Sequence, residues 1–244
     1  MISTSTIVII LLIIFIGSFI RSAIGFGEAV IGMPLLAFFI DIKSATPLMA
    51  LTASTLAIML LVSSWKKINF KDTFPFIIST ILGLPVGLYY LKNTADELIK
   101  AILGILLVLF GIYYLFIESL PHLKNEKMSF LFGFFAGILG GAYNTNGPPT
   151  VIYGVLRRWD QQNFRATLQS IFFPTGLLIT ISHGITGLWT NFVLTSYLYA
   201  LPIIVLGFIL GDRMHYRLKE NEFKKNIYIF ILVIGIILLF NSVL

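Results

Sequence analysis

The 244-residue chain has no cysteine, three histidines and only 11% charged residues. Without cysteine there is neither a disulfide framework nor thiolate chemistry, and three scattered histidines leave no basis for a dedicated metal cage. No G-x-x-x-x-G-K-[ST] loop occurs, so nucleotide-driven work is not expected. Residues 1–20 lack the basic start and small-residue cleavage site of a signal peptide, and the segment is expected to stay in place. What fills the chain is apolar: 57% of residues, with a mean hydropathy of +0.94. That composition is an integral membrane protein's. The net charge of +6 resides in short loops between apolar runs, where it reads as a topology signal and not as a nucleic-acid surface.

Two of the apolar runs are interrupted. The first extends through Arg21, Gly25-Phe26-Gly27, Glu28 and Gly32-Met33-Pro34 to Asp41. As one straight helix it would be ~54 Å long against a hydrocarbon core of ~30 Å, so it must project or turn back. The glycines and the proline are the expected turning points. The second runs from Gly133 to Leu156 and is broken by Asn144-Thr145-Asn146-Gly147-Pro148-Pro149. Lipid supplies no partner for free backbone groups, so such breaks persist only when buried in protein or lining a polar cavity.

Uninterrupted spans are expected near 45–65, 73–91 and 98–117, and again near 164–185, 192–211 and 223–244. The halves share a scheme. Gly17 and Gly25 correspond to Gly133 and Gly141, Gly32 and Pro34 to Gly147 and Pro149, and Asp41 to Asp160. Pro75 with Gly83 and Gly87 corresponds to Pro202 with Gly207 and Gly211, and G-x-x-x-G spacing lets helices approach closely in lipid. The expected fold is therefore an all-α polytopic membrane protein of two inverted repeats, 1–120 and 121–244. Each repeat is a broken re-entrant helical hairpin plus three transmembrane helices, making eight hydrophobic segments.

Loop charge separates two topologies. With Arg21 set aside as lying within a broken segment, the basic residues divide eleven to five between the two sides if both broken segments cross the membrane, and thirteen to three if both turn back. The positive-inside rule prefers the second, with both termini outside. A hairpin plus three crossings also inverts the second half relative to the first, a common plan for transporter sites at the midplane.

Half-helices returning from the breaks would begin near Glu28 and Pro148, with free N–H groups and positive dipole ends toward the cavity. Two such ends favour an anion. Pro148 and Pro149 suit a first helical turn, and Asn146 suits the N-cap. The substrate-binding set read from the sequence is Asn144, Thr145, Asn146, Gly147, Gln169, Arg21, Gly27, Phe26 and Arg165. Arg21 and Glu28, seven apart, would share a face if the helix continued. They form either a structural ion pair or a division of labour, with Arg21 taking the anion and Glu28 the coupling role. Arg165 also serves the positive-inside pattern. Thr52 and Ser54 are weaker candidates, since hydroxyls often bond their own helix. His183 is expected to border a span end, and Trp65, Trp159 and Trp189 to anchor at interfaces.

The stretches AIGFGEAVIGMPLLAFF and GGAYNTNGPPTVIYGVLRRWDQQNFRATLQ resemble the paired signature regions of the sulfite exporter TauE/SafE family, also called the toluene sulfonate uptake permease family. The resemblance covers essentially the whole chain. It implies a carrier in the bacterial inner membrane for sulfite, sulfonates such as sulfoacetate, or related organosulfur anions. Its partners would be a small anion and the lipid bilayer, with no cofactor beyond a coupling proton or Na+. Many relatives have G-x-G-G-G in the broken segments; here Gly25-Phe26-Gly27-Glu28 and Asn144-Thr145-Asn146-Gly147 stand instead, so ligand and coupling ion can differ. The other readings are an uncoupled anion or weak-acid channel and a membrane subunit of a larger complex. An enzyme is disfavoured, because no nucleophile–base pair or carboxylate cluster lies at apolar depth.

Overall fold

The structure is a computed structural model that describes residues 4–64, 73–116, 122–159, 161–215, 229, 231–233 and 235–240. Trp65, the basic residues at 66–71 and 217–225, Asp160 and most of the last expected span lie outside them, as does the side chain of Arg165.

The described residues form α1 (Thr4–Ile24), α2 (Glu28–Ala37), α3 (Ile42–Ser64), α4 (Phe74–Asn93), α5 (Asp96–Phe116), α6 (Met128–Tyr143), α7 (Gly147–Leu156), α8 (Gln161–Ile185), α9 (Asn191–His215) and α10 (Ile231–Phe240). No strand occurs among the described residues. Five helices, α1, α3, α4, α8 and α9, are long and apolar enough to cross a membrane. The polarity is arranged for lipid: Leu12, Val62, Leu82, Leu109, Leu198 and Phe240 are exposed, whereas Arg21, Glu28, Gln169 and His183 are buried.

Both broken segments turn back on themselves. In the first, Gly17 faces Glu28 and Gly32 faces Ile13, which is the pairing of antiparallel helices. In the second, Leu123 N donates to Leu156 O (2.8 Å), so the start of α6 lies beside the end of α7. Arg157 reinforces that junction by donating to the carbonyls of Leu123 and Lys124. At the other end of the bundle, Lys92 donates to Thr186 O (3.0 Å) and Ile42 N to Asp96 Oδ2 (3.2 Å). These contacts put 123–127 with 157 and separate them from 92–96, a grouping incompatible with eight straight crossings.

The turns are not quite where the sequence places them. Gly25 (φ 92°) and Gly27 (φ 102°) make the first, and their positive φ explains the glycines. Gly32 and Pro34 instead lie within α2, whereas Gly147 and Pro149 open α7, so that correspondence between the halves is not a structural equivalence. A proline ring inside an apolar helix replaces one backbone hydrogen bond without ending it when neighbouring helices pack around it.

Glycine ridges make the tightest seams. A Cβ on Gly83 would strike the backbone of Phe134 and Ile138, and one on Gly137 the backbone of Thr80 and Leu84, so α4 and α6 pack nearly backbone to backbone. Gly207 and Gly211 likewise seat α9 against Phe15, Ser18, Phe19 and Ser22 of α1. Gly235 of α10 meets Leu107 and Val108 of α5. Between these pairs, α3 and α8 cross at the centre, joined where the hydroxyls of Ser54 and Thr180 meet at 2.8 Å and Thr180 Oγ1 donates to Ala50 O.

Candidate functional site

Each break ends one helix and begins another at the same place. Helix α1 stops at Ile24 and α2 starts at Glu28; α6 stops at Tyr143 and α7 starts at Gly147. The two short helices have ten residues each, about 15 Å or half the hydrocarbon thickness. Their N-termini meet, with Val30 Cγ2 4.0 Å from where a Gly147 Cβ would stand. Between them is a small cavity with room for water-sized centres of about 30 Å³, lined by residues of both breaks together with Ala53, Phe172 and Gly176. Ala53 and Phe172 are close to the middles of α3 and α8, so those two helices meet the cavity at mid-length.

Arg21 organises this cavity. Its Nη1 donates to Glu28 Oε2 (2.9 Å) and to Ala53 O (3.1 Å), its Nη2 donates to Gln169 Oε1 (3.2 Å), and its guanidinium stands 5.4 Å from the centre of the Phe172 ring. The ion pair with Glu28 is buried. It spans the break, joining the last turn of α1 to the first residue of α2, and does not lie along one continuous helix face as the seven-residue spacing suggested. Gln169 is fully committed: its amide accepts from Arg21 and donates to Gly25 O (2.8 Å). It holds the arginine and the turn together and is absent from the cavity lining.

On the second break, Asn144 adopts a left-handed conformation (φ 52°), which asparagine tolerates well, and closes α6. Asn144, Asn146 and Gly147 line the cavity, as do Phe26 and Gly27. Asn146 occupies the N-cap position of α7 but makes no side-chain cap; its amide donates to Thr175 Oγ1 (3.2 Å) on α8 instead. Pro148 and Pro149 in the first turn remove N–H groups that would otherwise need partners. Thr145 is buried but turned to its own backbone, donating to Tyr143 O.

The last turn of α6 has its carbonyls individually satisfied. Asn144 N reaches Gly140 O, Thr46 Oγ1 reaches Ala142 O, and His183 Nε2 lies 3.1 Å from Gly141 O. His183 borders the end of its span, in the last turn of α8, as expected, and there it is a buried brace between α8 and α6. Thr52 bonds Met49 O in its own helix, and Trp159 packs on Tyr153, Phe164 and Gly154.

Sequence reasoning missed Ala53, Phe172, Thr175 and Gly176. Phe172 and Gly176 follow Gln169 at three and seven residues on one face of α8. That stripe of polar, aromatic and small residues was the available signal. Three buried side-chain atoms of cavity residues have no hydrogen-bond partner: Arg21 Nε, Asn144 Nδ2 and Glu28 Oε1. The cavity thus presents two unpartnered donors, one of them on the Arg21 guanidinium, and one unpartnered carboxylate oxygen beside two helix N-termini, ends that favour negative charge. Among the described residues no cluster of three or more metal-ligating His, Asp or Glu side chains occurs.

A family model for the sulfite exporter TauE/SafE matches residues 9–238. A probable sulfite/organosulfonate exporter TauE of Cupriavidus necator is 24% identical over 207 residues, which is 81% of this chain and 79% of that protein. No solved structure matches the chain.

Proposed function

The chain belongs to the sulfite exporter TauE/SafE family, and from that membership we propose that it is a secondary active transporter of small sulfur-containing oxyanions, sulfite or sulfonates such as sulfoacetate. The observation that carries this reading is the convergence of the N-termini of α2 and α7 on one cavity with a buried arginine. Anion binding there needs no metal or nucleotide.

The two halves, 1–120 and 121–244, act as inverted repeats, each a re-entrant hairpin and three crossings. Support comes from the seams: α1 packs on α9 and α4 on α6, and exchanging the halves turns one seam into the other. Rocking of one half against the other would open the cavity to alternate sides. The end of the bundle bearing Lys124, Lys127, Arg157 and Arg158 faces the cytoplasm of a bacterial inner membrane, with both termini outside.

Arg21 takes the anion and Glu28 is the coupling group. A proton shared between Glu28 and the bound anion lets both sit on the same guanidinium, so each anion is carried with one proton. Uptake of labelled sulfite, thiosulfate, sulfoacetate and sulfate into vesicles, with and without an imposed proton or Na+ gradient, tests this. Gradient-driven accumulation of a sulfur oxyanion is the expected result. Downhill flux unaffected by either gradient would make the protein an uncoupled pore.

A further inference from the structure

The unpartnered atoms of the cavity are of both kinds. Arg21 Nε and Asn144 Nδ2 donate, whereas Glu28 Oε1 only accepts while the carboxylate is ionised. All three residues are more than nine-tenths buried and line the cavity, and Glu28 Oε2 is already held by Arg21. A buried acceptor is satisfied only by a ligand that brings a donor. Taking the cavity as an oxyanion site, as proposed above, we infer that within that substrate class it selects sulfite over the sulfonates, because it takes an oxyanion retaining one hydroxyl proton, a monoanion such as hydrogensulfite. The ligand's O–H is donated to Glu28 Oε1, and its unprotonated oxygens accept from Arg21 Nε, Asn144 Nδ2 and the starts of α2 and α7.

Charge bookkeeping points the same way. Arg21 and Glu28 cancel, and two helix N-termini contribute at most roughly +0.5 each, less at α7, where Pro148 and Pro149 carry no N–H. A monoanion closes that balance; a dianion leaves excess negative charge in a buried site and turns its lone pairs toward those of Glu28. Hydrogensulfite on a carboxylate and sulfite on a carboxylic acid contain the same atoms, so one proton accompanies each anion, held between Glu28 Oε1 and a ligand oxygen. Among the described residues, the charged group facing Glu28 is Arg21 on α1. Facing residues on α3, α6, α7 and α8 are Thr52 and Ala53, Asn144, Gly147 and Phe172, none of which titrates, and the Thr52 hydroxyl proton is already given to Met49 O. Helix α5 also packs on α2, but its Asp96 lies at the opposite end, accepting from Ile42 N.

Calorimetric titration of the full-length protein in detergent with sulfite, sulfate and methanesulfonate, on both sides of neutral pH, tests the inference. Sulfite affinity is expected to fall about tenfold per pH unit on the alkaline side of sulfite's own titration. Sulfate and methanesulfonate, which carry no hydroxyl there, should bind about a hundredfold or more weakly. Glu28→Gln, whose amide both donates and accepts, should admit sulfate and flatten the pH dependence. Asn144→Gly keeps the left-handed turn and should weaken all anions alike without changing the pH slope. Sulfate binding as tightly as sulfite, methanesulfonate doing so, or sulfite affinity flat with pH would overturn the inference and leave the transport reading standing. Failure of the folded wild-type protein to bind any of the three would remove the oxyanion site itself. The wild-type comparison decides the matter even if Glu28→Gln does not fold.

Discussion

Arg21 and Glu28 are two opposite charges placed where neither could remain alone. Removing one partner of a buried pair leaves an uncompensated charge and typically costs about 3–5 kcal/mol, whereas removing both is much milder. Arg21→Ala is therefore predicted to lower the thermal midpoint of the purified protein strongly, and Arg21→Ala with Glu28→Ala to regain most of it. If the double variant is as unstable as the single, the pair is not what holds the break. Gln169→Ala frees Arg21 Nη2 and Gly25 O together. With each buried group left unpaired costing about 1–3 kcal/mol, it should reduce transport about tenfold or more while the protein still inserts and is recovered from the membrane. Wild-type flux would remove Gln169 from the positioning of the arginine. At this scale the sequence was informative about which residues are polar in an apolar context, and Arg21, Glu28, Asn144 and Asn146 do meet. It could not reveal partners. The commitment of Gln169 to Arg21 and Gly25, or of Asn146 to Thr175, depends on side chains far apart in the chain brought together by helix crossing.

At the scale of elements, the two hairpins and the glycine seams determine where the cavity forms. The G-x-x-x-G pairs Gly83–Gly87 and Gly207–Gly211 were legible because small residues at helical spacing have one strong use in lipid, and each does face a partner helix closely. The turn of the first hairpin was only partly legible, since Gly32 and Pro34 look like breakers but sit within α2. Tertiary packing tolerates them there. Gly83→Leu is predicted to separate α4 from α6, because its side chain would occupy the space of the Phe134 backbone. An overpacked seam costs about 1–3 kcal/mol or more, so monodisperse protein should fall sharply on size-exclusion chromatography. A Gly83→Leu variant that elutes and melts like the wild type would mean that the seam is not tight. His183→Ala removes the partner of Gly141 O beside the second break, at a cost of about 1–3 kcal/mol, and should lower the melting temperature without altering which anion is bound.

For the whole molecule, the hydrogen bond from Leu123 to Leu156 at one end and the contact of Lys92 with Thr186 at the other divide the loops into two sets. For the loops these contacts join, the grouping agrees with the one that loop charge prefers, because basic residues concentrate on one side of the bilayer; the basic loops at 66–71 and 217–225 lie outside the described residues. The absence of native cysteine gives a clean background for checking the orientation. Lys124→Cys should react with an impermeant thiol reagent from the cytoplasmic side and Lys92→Cys from the exterior; the reverse pattern would invert the molecule. What the loops could not disclose is the depth at which the hairpins meet, which is set by the packing of α3 and α8 between them.

By our proposal the cavity around Arg21 and Glu28 is the transport site. This is tested most directly by proton-gradient-driven uptake of labelled sulfite into vesicles containing equal amounts of folded wild-type protein and of the Arg21→Ala, Glu28→Ala double variant. The wild type is predicted to accumulate sulfite and the double variant to show none above empty vesicles. Uptake by the double variant at the wild-type rate would contradict the account.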